Sequence, residues 1–135
     1  MKIALISCIK RKRTYKCPAR ELYSESAWFR EAYCYAKLVA DRIFILSARY
    51  GLVPENMIIE PYNEALNHEG AEERRVWGDK VLNELRKVSD LEHDESIVLA
   101  GRFYYENLLP HLVHVELPLG HMPQGERTPE LRRLI

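Results

Sequence analysis

The sequence contains little that points to a membrane, a disulfide framework or an exported protein. Its longest apolar segments fall far short of the roughly 20 residues that a membrane-spanning helix needs. The three cysteines, Cys8, Cys17 and Cys34, are odd in number and form no C-x-x-C pair. Residues 1–6 carry one charge and lead into a polar loop, which favours a strand over a signal peptide. We therefore expect a protein of the reducing cytoplasm without contact to a membrane.

Several catalytic signatures are absent too. The sequence has no Walker loop, no dinucleotide-binding G-x-G-x-x-G, no G-x-S-x-G and no H-E-x-x-H. His111, His114 and His121 do not have the short spacing of familiar zinc ligands, and the cysteines are dispersed. The sequence thus predicts neither a metal nor a cofactor, and it gives no support to the common hydrolase classes.

The composition is that of one ordinary globular domain. The chain has 135 residues, of which 47% are hydrophobic and 30% are charged, and its formal net charge is zero. A core of that size needs no disulfide or metal, so we predict a single domain over residues 1–135. Affinity for nucleic acid would have to come from a local patch. Residues 10–16 hold such a basic run, which is either a solvated loop or a phosphate-binding patch.

Four short segments predict the strands of a sheet. Residues 2–6, 43–46 and 97–100 are apolar and β-branched without alternation, which is typical of parallel strands covered on both faces. Residues 113–117 alternate apolar with polar side chains and indicate a half-exposed edge strand.

Helical patterns separate these strands. Ser24 or Ser26 caps the first predicted helix, and Ala71–Val88 forms the second. Residues 103–109 predict a third, which Pro110 stops. Apolar positions with helical spacing support the two longer helices: Phe29, Ala32, Ala36 and Val39 in the first, and Trp77, Val81, Leu85 and Val88 in the second.

This alternation predicts an α/β fold, a three-layer single domain with a short, mostly parallel four-stranded sheet flanked by helices. Residues 48–70 form a longer connection than the fold requires. Because long ordered loops often carry function, we expect a lid or a binding loop there.

The direction of the strands predicts where a site would lie. Ligands of open parallel sheets bind beyond the carboxyl ends of the strands, where polar residues follow each predicted strand. Serine and glycine also end strands for purely structural reasons. The candidate catalytic residues are Ser7, Cys8 and Lys10. Cys8 is either a nucleophile, if nearby lysines stabilise its thiolate, or an inert buried thiol.

The candidate ligand-binding residues are Lys12, Ser47, Arg49, Tyr50, Gly51, Tyr62, Gly101 and Arg102. The lysine and the two arginines can hold phosphate, carboxylate or a base edge, and the alternative for the arginines is an ion pair with a glutamate. The two tyrosines either stack on a ring or pin the long loop to the domain. Gly51 permits a positive φ or a close approach of the backbone.

Four segments together resemble a bacterial and phage domain family of unknown function. They are the S-C-x-x-x-K opening of residues 7–12, residues 19–24, the L-S-A-x-Y-G-L block of residues 46–52 followed by Pro61 and Tyr62, and residues 99–105. The family is distantly similar to the YaaA peroxide-stress proteins, which are associated with DNA binding. It is more faintly similar to the core domain of archaeosine synthase, which modifies a deazaguanine base in transfer RNA. Lys10 and Lys12 are both candidates for the lysine of those families.

The resemblance implies a YaaA-like domain that binds a nucleotide, a modified nucleobase or a nucleic acid at the carboxyl ends of its strands, with modification of a base as the candidate activity. The alternative is a noncatalytic DNA-binding stress-response protein that uses the basic run of residues 10–16. An interaction module without a ligand is a third option. The sequence leaves the oligomeric state open.

Overall fold

The structure is a computed structural model, and it describes residues 1–8 and 12–119. Its strands in chain order are β1 (Lys2–Ser7), β2 (Cys17–Pro18), β3 (Arg42–Ser47), β4 (Gly51–Pro54), β5 (Ile58–Ile59), β6 (Glu95–Leu99) and β7 (His114–Glu116). Its helices are α1 (Ala19–Leu22), α2 (Ala27–Val39), α3 (Ala71–Val88) and α4 (Arg102–Tyr105). Short 3₁₀ turns cover Leu66–His68 and Leu109–His111. None of the helices within the described ranges is long and apolar enough to cross a bilayer.

The central sheet has the order β4-β3-β1-β6-β7. β1, β3, β6 and β7 are parallel, as predicted, whereas β4 runs antiparallel to β3. The sheet therefore has one strand more than the four predicted, and the prediction of a mostly parallel sheet agrees with the other four. β4 lies within the stretch that we assigned to a loop, because its four residues include a glycine and a proline. Pro54 is tolerated there because β4 is an edge strand among the described residues.

The centre of the sheet is buried on both faces. Five of the six residues of β1 are buried, and β3 shows the same pattern. α2 packs on β1, and α3 packs on β4. This arrangement explains the unalternating apolar segments, since a strand that is covered on both sides has no face for polar side chains. β7 differs, because all three of its residues are exposed rather than half-exposed.

The two long helices follow the sequence closely. Of the two candidate caps, Ser26 caps α2, since its hydroxyl accepts the N–H of Phe29 at 3.2 Å. The Ser24 hydroxyl donates to the Glu21 carbonyl instead. α3 has the predicted bounds and buries Trp77 among its apolar stripe.

The third predicted helix is wrong in its extent. α4 ends at Tyr105, and a turn separates it from the 3₁₀ turn Leu109–His111. Pro110 does not stop a helix but lies in the first positions of that turn. Proline is favourable there because its fixed φ suits a first turn and its missing N–H is not needed. The consequence for the site is that α4 is a short segment directly after β6.

Candidate functional site

Cys8 lies at the carboxyl end of the central strand. Its backbone N–H donates to the Leu46 carbonyl at 2.9 Å, so the β1–β3 ladder fixes its position. Ser7, Cys8 and Ser47 are all buried. The structure therefore brings the ends of β1 and β3 together as predicted, but as a packed interior rather than an open rim.

Three tyrosines lie near the Cys8 thiol. Its Sγ lies 3.2 Å from the Tyr104 hydroxyl, and the charge of Cys8 acts on the hydroxyls of Tyr23 and Tyr62. The Tyr62 and Tyr23 hydroxyls are hydrogen-bonded to each other. Tyr104 in addition accepts the backbone N–H of Leu66 at 3.4 Å. Cys8, Tyr23, Tyr62 and Tyr104 form what we call the phenol–thiol cluster.

The hydroxyls of this cluster are neutral at physiological pH. Burial is the main cause that raises the pKa values of Tyr23, Tyr62 and Tyr104, and negative charge on Cys8 raises them further. A neutral phenol can donate a hydrogen bond. The cluster therefore offers buried O–H donors close to a thiol, which is a suitable environment for a polar group of a ligand.

Lys12 approaches the cluster from the loop after β1. Its Nζ lies 4.7 Å from the centre of the Tyr62 ring and 5.9 Å from that of Tyr23. Burial lowers the pKa of the Lys12 amine, although the charges of Cys8 and Glu64 act in the opposite direction. The two rings act in the same direction as these charges, because contact with a ring face favours the ammonium form.

Arg49 and Tyr50 form the outer part of the site. The Arg49 guanidinium lies over the Tyr50 ring at 5.4 Å and pairs with Glu64 at 3.9 Å. The Tyr50 ring contacts Tyr62 edge-on, with ring centres 5.6 Å apart. About half of the Arg49 side chain is exposed. The solvent-accessible Arg49 guanidinium thus contacts the Tyr50 ring, which in turn contacts Tyr62 of the buried cluster.

Ser47 and Gly51 hold the turn that carries Arg49 and Tyr50. The Ser47 hydroxyl accepts the Tyr50 N–H at 3.0 Å, and the Trp77 indole donates to the Ser47 carbonyl at 2.9 Å. Gly51 has the predicted positive φ, at +83°. A Cβ at Gly51 would also lie 2.5 Å from a carboxylate oxygen of Glu84. The structure shows positioning contacts for both residues, and their direct role in ligand binding stays a prediction.

Gly101 and Arg102 lie beside the cluster rather than in it. Gly101 precedes α4, and its carbonyl accepts the N–H of Tyr104 at 3.0 Å, which helps to place that ring. The Arg102 side chain is 77% exposed and pairs with Glu106 at 3.4 Å. This is the glutamate pairing that we considered as the alternative for the arginines. A ligand contact by Arg102 stays a prediction, and Lys10 lies outside the described residues.

Sequence reasoning did not select Tyr23 and Tyr104 as site residues. Both lie in segments that were noticed, residues 19–24 and 99–105, but neither directly follows a predicted strand of the main sheet. Their hydroxyls become neighbours only when the α1 end, the loop after β5 and α4 meet above Cys8. No local pattern encodes such a meeting, although tyrosines in both segments were a usable signal.

The fold and the site define an α/β protein with a buried phenol–thiol cluster at the carboxyl ends of its strands. The chain matches a family described as a family of unknown function, DUF6884, over residues 3–133, and it belongs to that family. No curated protein and no solved structure matches the chain. The described residues contain no group of three or more histidine, cysteine or acidic side chains that could hold a metal ion.

Proposed function

We propose that the carboxyl edge of the sheet binds a nucleotide, a modified nucleobase or a nucleic acid, and that it does so through rings and cations placed side by side. The observation that carries the proposal is the pairing of each cation with a tyrosine: Lys12 with Tyr62 and Arg49 with Tyr50. A base offers a flat face to such rings, and its phosphate offers charge to such cations.

The binding free energies of stacking and of ionic contacts support a ligand with a base and a phosphate. Stacking of a base on an aromatic ring contributes about 1–3 kcal/mol, and an arginine–phosphate contact adds a charge-assisted hydrogen bond. The neutral hydroxyls of Tyr62 and Tyr104 add donors for a ring nitrogen or carbonyl oxygen. In this proposal Ser7 and Cys8 line the centre at which a base would be modified.

The alternative, a DNA-binding stress-response protein, uses the basic run of residues 10–16. Two residues of that run contact other residues of the domain. Arg13 donates to the Glu21 carbonyl at 3.0 Å and to the Ser24 hydroxyl at 3.0 Å, and Lys12 lies against the Tyr62 ring. Lys16 is exposed. Because these two cations already contact other residues of the domain, they support a site for a small ligand over a patch for a duplex.

The test is an NMR titration of the ¹⁵N-labelled protein with the four ribonucleoside monophosphates, a deazaguanine base and a short single-stranded oligonucleotide. We expect chemical-shift changes at residues around Tyr50 and Tyr62 with at least one of these ligands. Arg49→Gln should weaken that binding by about tenfold, which corresponds to about 1.4 kcal/mol. The control is Arg86→Gln, because Arg86 is an exposed arginine of α3 that contacts Asn83.

Salt distinguishes the two candidate functions. Binding of one nucleotide should weaken little between 50 and 200 mM salt, where duplex binding by several phosphate contacts would fall by orders of magnitude, about 10³ or more. The proposal would be contradicted if none of the ligands shifted resonances near Tyr50 and Tyr62, or if only duplex DNA bound, with a steep salt dependence.

A further inference from the structure

β7 is an edge strand of the central sheet within the part of the chain that the structure describes. It is the last strand in the order β4-β3-β1-β6-β7 and pairs in parallel with β6. All three of its residues are exposed, and Val113 just before it is 62% exposed. The edge strand β4 differs, because three of its four residues are buried and Pro54 lacks a backbone donor. The two edge strands are therefore protected from pairing to different degrees.

The segment around β7 is suited to pairing with another strand. Residues 112–117 have the sequence Leu-Val-His-Val-Glu-Leu, which includes two β-branched residues. The segment contains no proline and no lysine, the residue types that commonly protect an edge strand from pairing. An edge strand presents N–H and C=O groups with which a second strand forms backbone hydrogen bonds. The sequence of β7 therefore permits the sheet to continue into another chain.

The charges of β7 complement those of a second copy of the same strand. When two β7 strands pair antiparallel with Val115 at the centre, His114 of each copy lies directly opposite Glu116 of the other. The contact occurs twice, because the two copies are related by a two-fold axis. Centring the pair on His114 would place two imidazoles opposite each other, and centring it on Glu116 would place two carboxylates opposite each other. The strand therefore favours one register with its own copy.

The two faces of such a strand pair also agree with this register. His114 lies opposite Glu95 on β6, so in the pair it lies between Glu95 of its own chain and Glu116 of the second copy. Side chains alternate along a strand, so Val113 and Val115 lie on the other face. There the two copies of Val115 lie opposite each other, and Val113 lies opposite Leu117. The strand pair thus has a polar row on one face and an apolar row on the other.

The carboxyl-terminal segment, residues 120–135, is the other occupant that the chain itself offers. It lies outside the described residues. Its sequence includes Pro123 and Pro129, and a proline cannot donate a hydrogen bond to a neighbouring strand. A second β7 brings a segment without proline and with complementary charges. These properties favour the second copy over the segment 120–135.

We propose that two copies of the chain associate through antiparallel pairing of their β7 strands, with the two-fold axis at Val115. The two five-stranded sheets then form one continuous sheet. Because the pairing is antiparallel, the carboxyl edges of the two copies point in opposite directions and both phenol–thiol clusters lie away from the interface. This association goes beyond the proposed function and does not depend on it. A strand this short buries a small area, so we expect a Kd of about 100 μM and a monomer at low micromolar concentration.

The test is the mass of the full chain in solution, measured by sedimentation equilibrium from about 1 μM to about 1 mM. We expect the mass to rise with concentration from the 15.9 kDa of one chain toward twice that value. Hydrogen exchange of the amides of residues 113–117 should slow over the same range, whereas that of α3 should stay the same. A mass of one chain at every concentration would overturn the proposal. Exchange at residues 113–117 that does not change with concentration would overturn it too.

Val115→Glu is the first variant, because it places two carboxylates opposite each other at the centre of the strand pair. It should raise the Kd at least about tenfold. The matched control is Val76→Glu, since Val76 is an exposed valine of α3, and it should leave the Kd unchanged. Circular dichroism shows whether each variant keeps the fold. Equal effects of the two variants on association would overturn the proposed interface.

An exchange of charges tests the register and does not depend on Val115. Glu116→Lys places a cation opposite His114 of the second copy and should raise the Kd about tenfold. Adding His114→Glu restores two pairs of opposite charge and should return the Kd to within about threefold of wild type. A double variant that associates no better than Glu116→Lys alone would overturn the antiparallel pairing centred on Val115.

Discussion

Polar groups are exposed at one edge of the sheet and buried at the other. At the amino edge the groups lie at or near the surface and form ion pairs: the Met1 amine with Asp94 at 3.1 Å, and His93 with Asp90 at 2.7 Å. Shallow surface depressions lie there, one of them lined by residues 86–92 and 94. At the carboxyl edge the phenol–thiol cluster is buried, and its members come from segments far apart in the chain.

This difference supports the proposal that the carboxyl edge has a function beyond folding. Exposed pairs contribute at most about 1 kcal/mol each and cost little to form. A buried hydroxyl or thiol is unfavourable unless it finds a partner, and apolar side chains could fill the same space. A cluster of four such groups, with an amine beside it, is therefore better explained by binding or chemistry than by stability.

The largest expected difference in stability between variants at the two edges comes from removing the Tyr104 hydroxyl. Tyr104→Phe should lower the free energy of unfolding by about 1–3 kcal/mol, because the buried N–H of Leu66 and the Cys8 thiol lose a partner. Urea unfolding followed by circular dichroism measures this change.

The matched variant at the amino edge is Lys2→Met, which removes an exposed ion pair with Glu95. It should change the free energy of unfolding by no more than about 1 kcal/mol. If both variants had the same small effect, the Tyr104 hydroxyl would contribute no more than a surface charge, and the contrast between the edges would disappear.

The second prediction is that removing the Lys12 amine does not lower the free energy of unfolding, in contrast to removing the Tyr104 hydroxyl. Lys12→Met should leave the protein as stable or slightly more stable at pH 7, by no more than about 1 kcal/mol, because the buried part of an ammonium is removed and the side chain remains partly exposed. Such a result would show that the Lys12 amine does not stabilise the fold at pH 7.

The pH dependence gives the sign of this effect. The pKa of Lys12 is lower in the folded state than its usual 10.5, so the unfolded chain binds the proton more tightly. Burial of the Lys12 ammonium lowers the stability of the fold by its full amount below the lowered pKa, and this loss decreases as the pH rises toward 10.5. The stability of wild type and Lys12→Met should therefore converge as the pH rises toward 10.5. A variant that is much less stable than wild type at pH 7 would show that Lys12 is a structural residue.

The parts of the fold that could be predicted are those with local signals. The four parallel strands and α2 and α3 all follow from runs or periods of apolar residues, and Ser26 was one of two candidate caps. β4 could not be predicted in the same way. Its pairing of Ser47 with Gly51 depends on a turn with positive φ, and a glycine only permits such a turn.

The sequence predicted where the candidate residues lie but not how their side chains are arranged. Strand direction put Cys8, Ser47 and Arg49 near one edge, Tyr62 was a candidate from the long loop, and the structure brings them together. Arg102 was selected for the same reason, yet its position on the first turn of α4 directs its guanidinium to Glu106. Chain order gives the position of a residue along a strand or helix, whereas the direction of its side chain depends on tertiary packing.

The smallest expected effect lies at the amino edge, in the pair of His93 and Asp90. The hydrogen bond to Asp90 raises the pKa of His93 above 6.5, and the same contact lowers the pKa of Asp90 below 3.8. The pair therefore stabilises the fold most between these two pH values, and its contribution is lost as the pH rises through the raised pKa of His93. His93→Gln should lower the urea midpoint slightly at pH 5.5 and leave it unchanged at pH 8.5. The control is His114→Gln, an exposed histidine of β7 without a carboxylate partner among the described residues. An equal loss at both pH values would show that His93 acts through packing and not through its charge.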